Sequence, residues 1–126
     1  MDFQEADYTS WATIRTLATQ GTEAAPTTSS AFVEVQPHAM PRVELRIRSG
    51  SLVGSPTSVT LAVWRKSGGA VDKIGTWEVL LADISAPIPQ LFESYDPHIY
   101  VTVQSFAGNS GATITATVEA RGVFGG

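Results

Sequence analysis

Four stretches of the chain alternate apolar and polar residues with a period of two. Val43, Leu45 and Ile47 are interleaved with Arg42, Glu44, Arg46 and Arg48, and Val59, Leu61 and Val63 with Thr60, Ala62 and Trp64. Ile99, Val101 and Val103 alternate with Tyr100, Thr102 and Gln104. The last stretch sets Ala112, Ile114, Ala116, Val118 and Ala120 against Thr113, Thr115, Thr117, Glu119 and Arg121. Successive strand side chains point to opposite faces, so each stretch predicts a strand with one face on a core and one toward water. The run of Thr near the C-terminus favours strand over helix, because β-branched side chains lose rotamer freedom in a helix. Weaker patterns predict two more strands over Phe32–Gln36 and Gly75–Leu81.

Turn-forming clusters separate these runs: Ser49-Gly50-Ser51, Gly54-Ser55-Pro56, Ser67-Gly68-Gly69 and Gly108-Asn109-Ser110-Gly111. Short strands spaced at intervals of about ten residues predict an all-β antiparallel sandwich, jelly-roll-like, as a single domain. A turn centred on Gly108-Asn109 would make the last two strands a hairpin, pairing Val103 with Ile114, Val101 with Ala116 and Ile99 with Val118. A second hairpin, centred near Ala70-Val71, would set Trp64 directly opposite Trp77. Ala86–Pro97 carries three prolines and predicts a crossing between sheets with a short edge piece at Gln90–Phe92. Residues 1–31 are expected to be an N-terminal arm and linker, and residues 32–126 the sandwich. Within the arm, Trp11, Ile14 and Ala18 sit at helical spacing, whereas five Thr between positions 9 and 22 oppose a helix. Deletion of residues 1–20 is accordingly expected to leave a folded domain.

Composition narrows the function classes. The chain has 126 residues and no cysteine, so disulfides, thiolate catalysis and thiolate metal sites drop out. Its net charge is −4 and its eight basic residues form no run longer than Arg65-Lys66. Nucleic-acid binding is not expected, since phosphate neutralisation needs a basic face. The acidic opening MDFQEADYTS lacks the apolar core of a signal peptide, and no stretch approaches the roughly 20 apolar residues of a membrane span.

Nothing in the sequence assembles a catalytic constellation, a metal site or a cofactor site, and no enzyme is expected. His38 and His98 each follow a proline and lack a third ligand at useful spacing. Gly108–Gly111 approaches a nucleophile-elbow pattern but has Ala112 in the final glycine position. Glu93, Asp96, Asp83 and Asp72 are oxygen ligands suited to calcium, yet without the spacing of a calcium loop they read as solvated loop charge. Aromatic residues offer more. Trp64, Trp77 and Tyr100 would form a surface platform for sugar rings if exposed on one face, or a packed wall if buried. Phe3, Tyr8 and Trp11 in the acidic arm are candidate partner-binding residues.

A small Thr-, Ala-, Gly- and Val-rich sandwich without cysteine, sparsely charged and ending ITATVEARGVFGG, resembles the virion structural proteins of tailed bacteriophages. The resemblance is carried by the texture of residues 32–126. It implies a non-enzymatic head decoration or cement protein, made in the host cytoplasm and located in the virion. The implied partner is the major capsid protein or another virion protein, and the implied state a homo-oligomer, trimer or dimer, with neither nucleic acid nor membrane bound. The alternative expectation is a carbohydrate-binding sandwich of a tail fibre or glycan-binding domain.

Overall fold

A computed structural model describes residues 10–35, 42–94 and 96–123. Among these residues, eight strands and one short 3-10 turn follow one another: β1 Ala12–Gln20, β2 Val33–Glu34, β3 Arg42–Val53, β4 Ser58–Ser67, β5 Ala70–Leu80, β6 Gln90–Glu93, β7 His98–Ala107 and β8 Thr113–Val123. They form two four-stranded sheets of order β1-β8-β3-β6 and β2-β7-β4-β5. The pairs β1–β8, β2–β7, β3–β6 and β4–β5 are all antiparallel, as if one long nested hairpin had been rolled into two layers. That order is the jelly roll. Among the described residues, no helix is long and apolar enough to cross a membrane.

The period-two rows become the core. Val43, Leu45, Ile47, Val118, Ala116 and Ile114 from one sheet face Val59, Leu61, Val63, Ile99, Val101 and Val103 from the other, all buried. Burying side chains of this size contributes about 1.5–3 kcal/mol each. The strands expected at 32–36, 42–48, 59–64, 90–92, 99–104 and 112–121 all have counterparts, and the edge piece in the proline-rich segment is β6.

Three expectations are corrected. Residues 12–20 are not arm but strand β1, hydrogen-bonded along β8 from Ala12↔Ala120 to Gln20↔Thr113. Ile14 and Leu17, 4% and 0% exposed, enter the core. The bulge between Thr13 and Arg15 breaks the period of two, which is how the segment imitated a helical spacing. The last two strands, secondly, do not pair: β7 and β8 lie in different sheets. Their inward residues meet across the core instead of along a ladder, a packing that satisfies the same alternation. The Gly108–Gly111 segment is therefore an inter-sheet connection. Asn109 pins it, donating from Nδ2 to the Gly54 carbonyl (2.8 Å) and accepting from the Gly111 N–H at 3.0 Å. Thirdly, the β4–β5 hairpin turns earlier than expected, with Ser67 opposite Ala70. Gly68 holds φ +59°, a conformation open to glycine but strained at Ala70 or Val71. That shift, with a bulge after Val63, sets Trp64 opposite Lys73 and Trp77 opposite Leu61.

The two sides of the sandwich are finished differently. Along the β1–β7 side, Arg15 Nη1 donates to the Val101 carbonyl (3.0 Å), while Glu23 accepts the Val103 N–H on Oε1 (2.9 Å) and donates its own N–H to the Val103 carbonyl (2.9 Å). The two side chains join in a bidentate pair of 2.6 and 2.7 Å. This side is sealed. On the other side, β5 and β6 are the terminal strands of their sheets, joined chiefly by Phe92 lying on Gly75, where a Cβ would come within 2.8 Å of the ring.

Candidate functional site

The β5–β6 side is the candidate site. In an antiparallel ladder, alternate residues turn their backbone N–H and C=O away from the partner strand. Leu81 donates its N–H to the Thr57 carbonyl (3.0 Å) beside the Ser58↔Leu80 pair, which turns the polar groups of Leu80, Glu78 and Thr76 outward. From the tight turn at the other end, the same alternation turns out those of Val71 and Lys73. No strand among the described residues covers this edge. Beside it runs a cleft of about 290 Å³, with Trp77–Leu80 on one wall and Ala86, Pro87, Ile88 and Gln90 on the other. Leu80, Leu81, Ile88 and Leu91 are 52%, 40%, 80% and 51% exposed. Prolines at 87 and 89 hold Ile88 in an extended backbone with nothing to bury it.

Such a surface suits docking of apolar groups and strand addition better than bond-making. The nearest carboxylates are Asp83 in the cleft wall and Glu78, which accepts a hydrogen bond from Ser58 Oγ at 2.9 Å. Among the described residues, no three of His, Cys, Asp and Glu gather as a metal-holding group. Asp72, Asp83, Glu93 and Asp96 are thus not brought together.

The structure splits the expected aromatic platform. Trp77 is 5% exposed and belongs to the core. Trp64 and Tyr100 remain neighbours across β4 and β7 on the outer face of the β2-β7-β4-β5 sheet, both half-buried. Phe32 extends the row, its ring 5.3 Å from that of Tyr100. Trp64 Nε1 donates to Thr102 Oγ1 at 2.9 Å, and cations lie over each ring: Arg15 on Tyr100, Lys66 on Phe32 and Lys73 on Trp64, at 5.1, 5.6 and 5.7 Å. Trp77→Ala is expected to cost roughly 3–5 kcal/mol by leaving a cavity, and Trp64→Ala only about 1–2 kcal/mol for the lost hydrogen bond and partial burial. Thermal denaturation of the two variants checks this ordering.

Trp11, the described member of the expected partner-binding trio, lies on the outer face of the other sheet, with the Arg46 and Arg121 guanidinium carbons 4.1 and 4.4 Å from its ring centre. Phe3 and Tyr8 lie outside the described residues, as does His38. The arginines are tied to carboxylates: Arg46 to Glu119 (2.6 Å), Arg121 to Glu44 (2.7 Å) and Arg48 to Glu119 (3.4 Å).

Two acidic groups have displaced titrations. Burial alone would raise the Glu23 carboxyl, but the Arg15 guanidinium and the Val103 N–H hold it below its ordinary 4.5. Asp96 is likewise lowered, against its burial, by hydrogen bonds from the His98 backbone and ring, both 2.9 Å. A carboxylate whose folded pKa is depressed contributes stability above its unfolded value, and that contribution is lost as pH falls through the folded value. Urea midpoints measured downward from pH 4.5 are expected to fall less steeply in Glu23→Gln than in the parent chain. Equal slopes would show that the Arg15–Glu23 seal does not carry the acid response.

Neither the cleft nor the seal was singled out from the sequence. The apolar pair Leu80-Leu81, which breaks the alternation, and an isoleucine between two prolines were the available signals. The Arg15–Glu23 pair leaves no signal, since it depends on β1 and β7 lying side by side. Comparison with known protein families, curated proteins and solved structures gave no match.

Proposed function

We propose that the protein is a non-enzymatic assembly module of a virion, of the decoration or cement kind, that stabilises a shell by bridging subunits. The observation that carries this reading is the open β5–β6 side, where a strand edge that no described strand covers runs beside a cleft lined by the exposed Leu80 and Ile88, with the exposed Leu81 and Leu91 next in sequence to lining residues. Apolar surface gathered in this way marks an interaction site. The jelly roll, which is recurrent in viral capsid domains, supports the reading by analogy alone. Bridging also requires a second contact, for which the Trp11–arginine face offers aromatic and guanidinium groups of the kind favoured at interfaces. Repetition around a shell would let contacts of modest area act together.

The test is mass spectrometry of purified phage particles whose genome encodes this chain. The protein is expected in stoichiometric amounts, and Ile88→Asp is expected to lower its occupancy. Its absence from the particles would overturn the reading. The row of Phe32, Tyr100 and Trp64 favours a second one, a sugar-binding module. It ranks lower because Trp77 has left the platform and cations cover the ring faces. A glycan-array signal abolished by Trp64→Ala in a folded protein would reverse that ranking.

A further inference from the structure

We infer that the open edge of β5 is completed by β5 of a second copy of this chain, giving a twofold dimer in which two four-stranded sheets continue into one. The inference names the partner of the assembly surface proposed above and rests on that reading of the open side. An uncovered strand edge is completed by backbone hydrogen bonds, and side-chain complementarity then sets the register.

One antiparallel register across a twofold axis fits the outward groups of β5. It sets Lys73 against Glu78 of the second copy and, by symmetry, Glu78 against Lys73. The next pair on each side is Val71 with Leu80. All four residues turn their backbone groups away from β4, as the ladder requires. Lys73 and Leu80, as well as Glu78, are exposed in the single chain, and Val71 is half-exposed. At the centre Thr76, whose backbone groups are likewise turned outward, meets Thr76 of the second copy, and the bulge between Val63 and Trp64 in the pairing with β4 takes up the extra residue between Lys73 and Thr76. A register centred on Glu78 would instead face two carboxylates, and like charges directly opposite are unfavourable. Glu78 uses Oε2 toward Ser58, which leaves Oε1 for the lysine. Lys73, near Gln104 Oε1 at 3.0 Å, has further donors to give. The chosen register also brings Val71 of the second copy to Leu80 at the mouth of the cleft, whose opposite wall carries Ile88.

Sedimentation equilibrium on the isolated full chain tests this directly. The parent is expected to form a reversible dimer. Lys73→Glu and Glu78→Lys, each placing like charges at both symmetric positions, are expected to weaken it roughly tenfold or more. The double variant Lys73→Glu/Glu78→Lys exchanges the signs and is expected to restore it. Thermal melts of all three check that the fold is kept. A parent that sediments as a monomer throughout overturns the proposal and leaves the edge to a strand of another protein. So does a dimer indifferent to the single reversals, or one that the double variant fails to rescue. Particle occupancy is read separately: a monomer still found in virions would sink the dimer and spare the proposed function, while a rescued dimer absent from virions would do the reverse.

Discussion

Removal of residues 1–20 is expected to abolish cooperative folding. The deletion takes away β1 and with it Ile14 and Leu17, both buried among the core residues. It also removes Arg15, leaving Glu23 with its carboxylate against the β7 edge and without the guanidinium that compensates its burial. The β8 strand, now flanked by β1 and β3, would become an edge strand of eleven residues with unpaired backbone groups, which favours aggregation. Two buried aliphatic side chains contribute roughly 3–6 kcal/mol together, comparable with the whole stability of a small domain, about 5–15 kcal/mol. Far-UV circular dichroism and urea unfolding of the truncated chain check this. A sigmoidal transition at the parent's midpoint would show that β1 is an accessory strand.

Val101→Asp is expected to be equally severe. Val101 is 0% exposed and sits opposite Val63 at the centre of the β2-β7-β4-β5 sheet. A carboxylate there has no partner, and its burial costs more than about 4 kcal/mol whether it stays charged or takes up a proton. The control is Thr115→Asp on β8, an exposed position, where the cost should be about 1 kcal/mol or less. Equal melting temperatures for the two variants would show this assignment of inward and outward faces to be wrong.

Both predictions turn on β-strand alternation, and that is also where sequence and structure part company. Alternation at 43–47, 59–63, 99–103 and 112–120 depends only on neighbours along the chain, because the side-chain period is a property of the extended backbone. Strand existence, the inward face and the all-β class were therefore legible. Pairing was not. The rows Ile99-Val101-Val103 and Ile114-Ala116-Val118 are equally satisfied by a ladder and by packing across a core, and the burial energy does not distinguish them. The exposure of Trp64 and Trp77 was undecidable for a related reason: a turn displaced from Ala70-Val71 to Gly68-Gly69, together with one bulge, reassigns which residues oppose each other. Strand β1 escaped detection because its bulge interrupts the period on which detection depends.

The chain by itself thus determined a two-faced β domain with an apolar interior, because each strand carries its own burial pattern. Tertiary structure alone decided which strands are edges. Among the described residues, the nested order seals one side with Arg15 and Glu23 and leaves the β5 edge and the Leu80–Ile88 cleft uncovered on the other. A strand's local sequence does not say whether it will have one neighbour or two; that follows from how distant strands compete for the same hydrogen-bonding edges. The candidate site is a product of that competition, built from residues that are unremarkable where they stand in the chain.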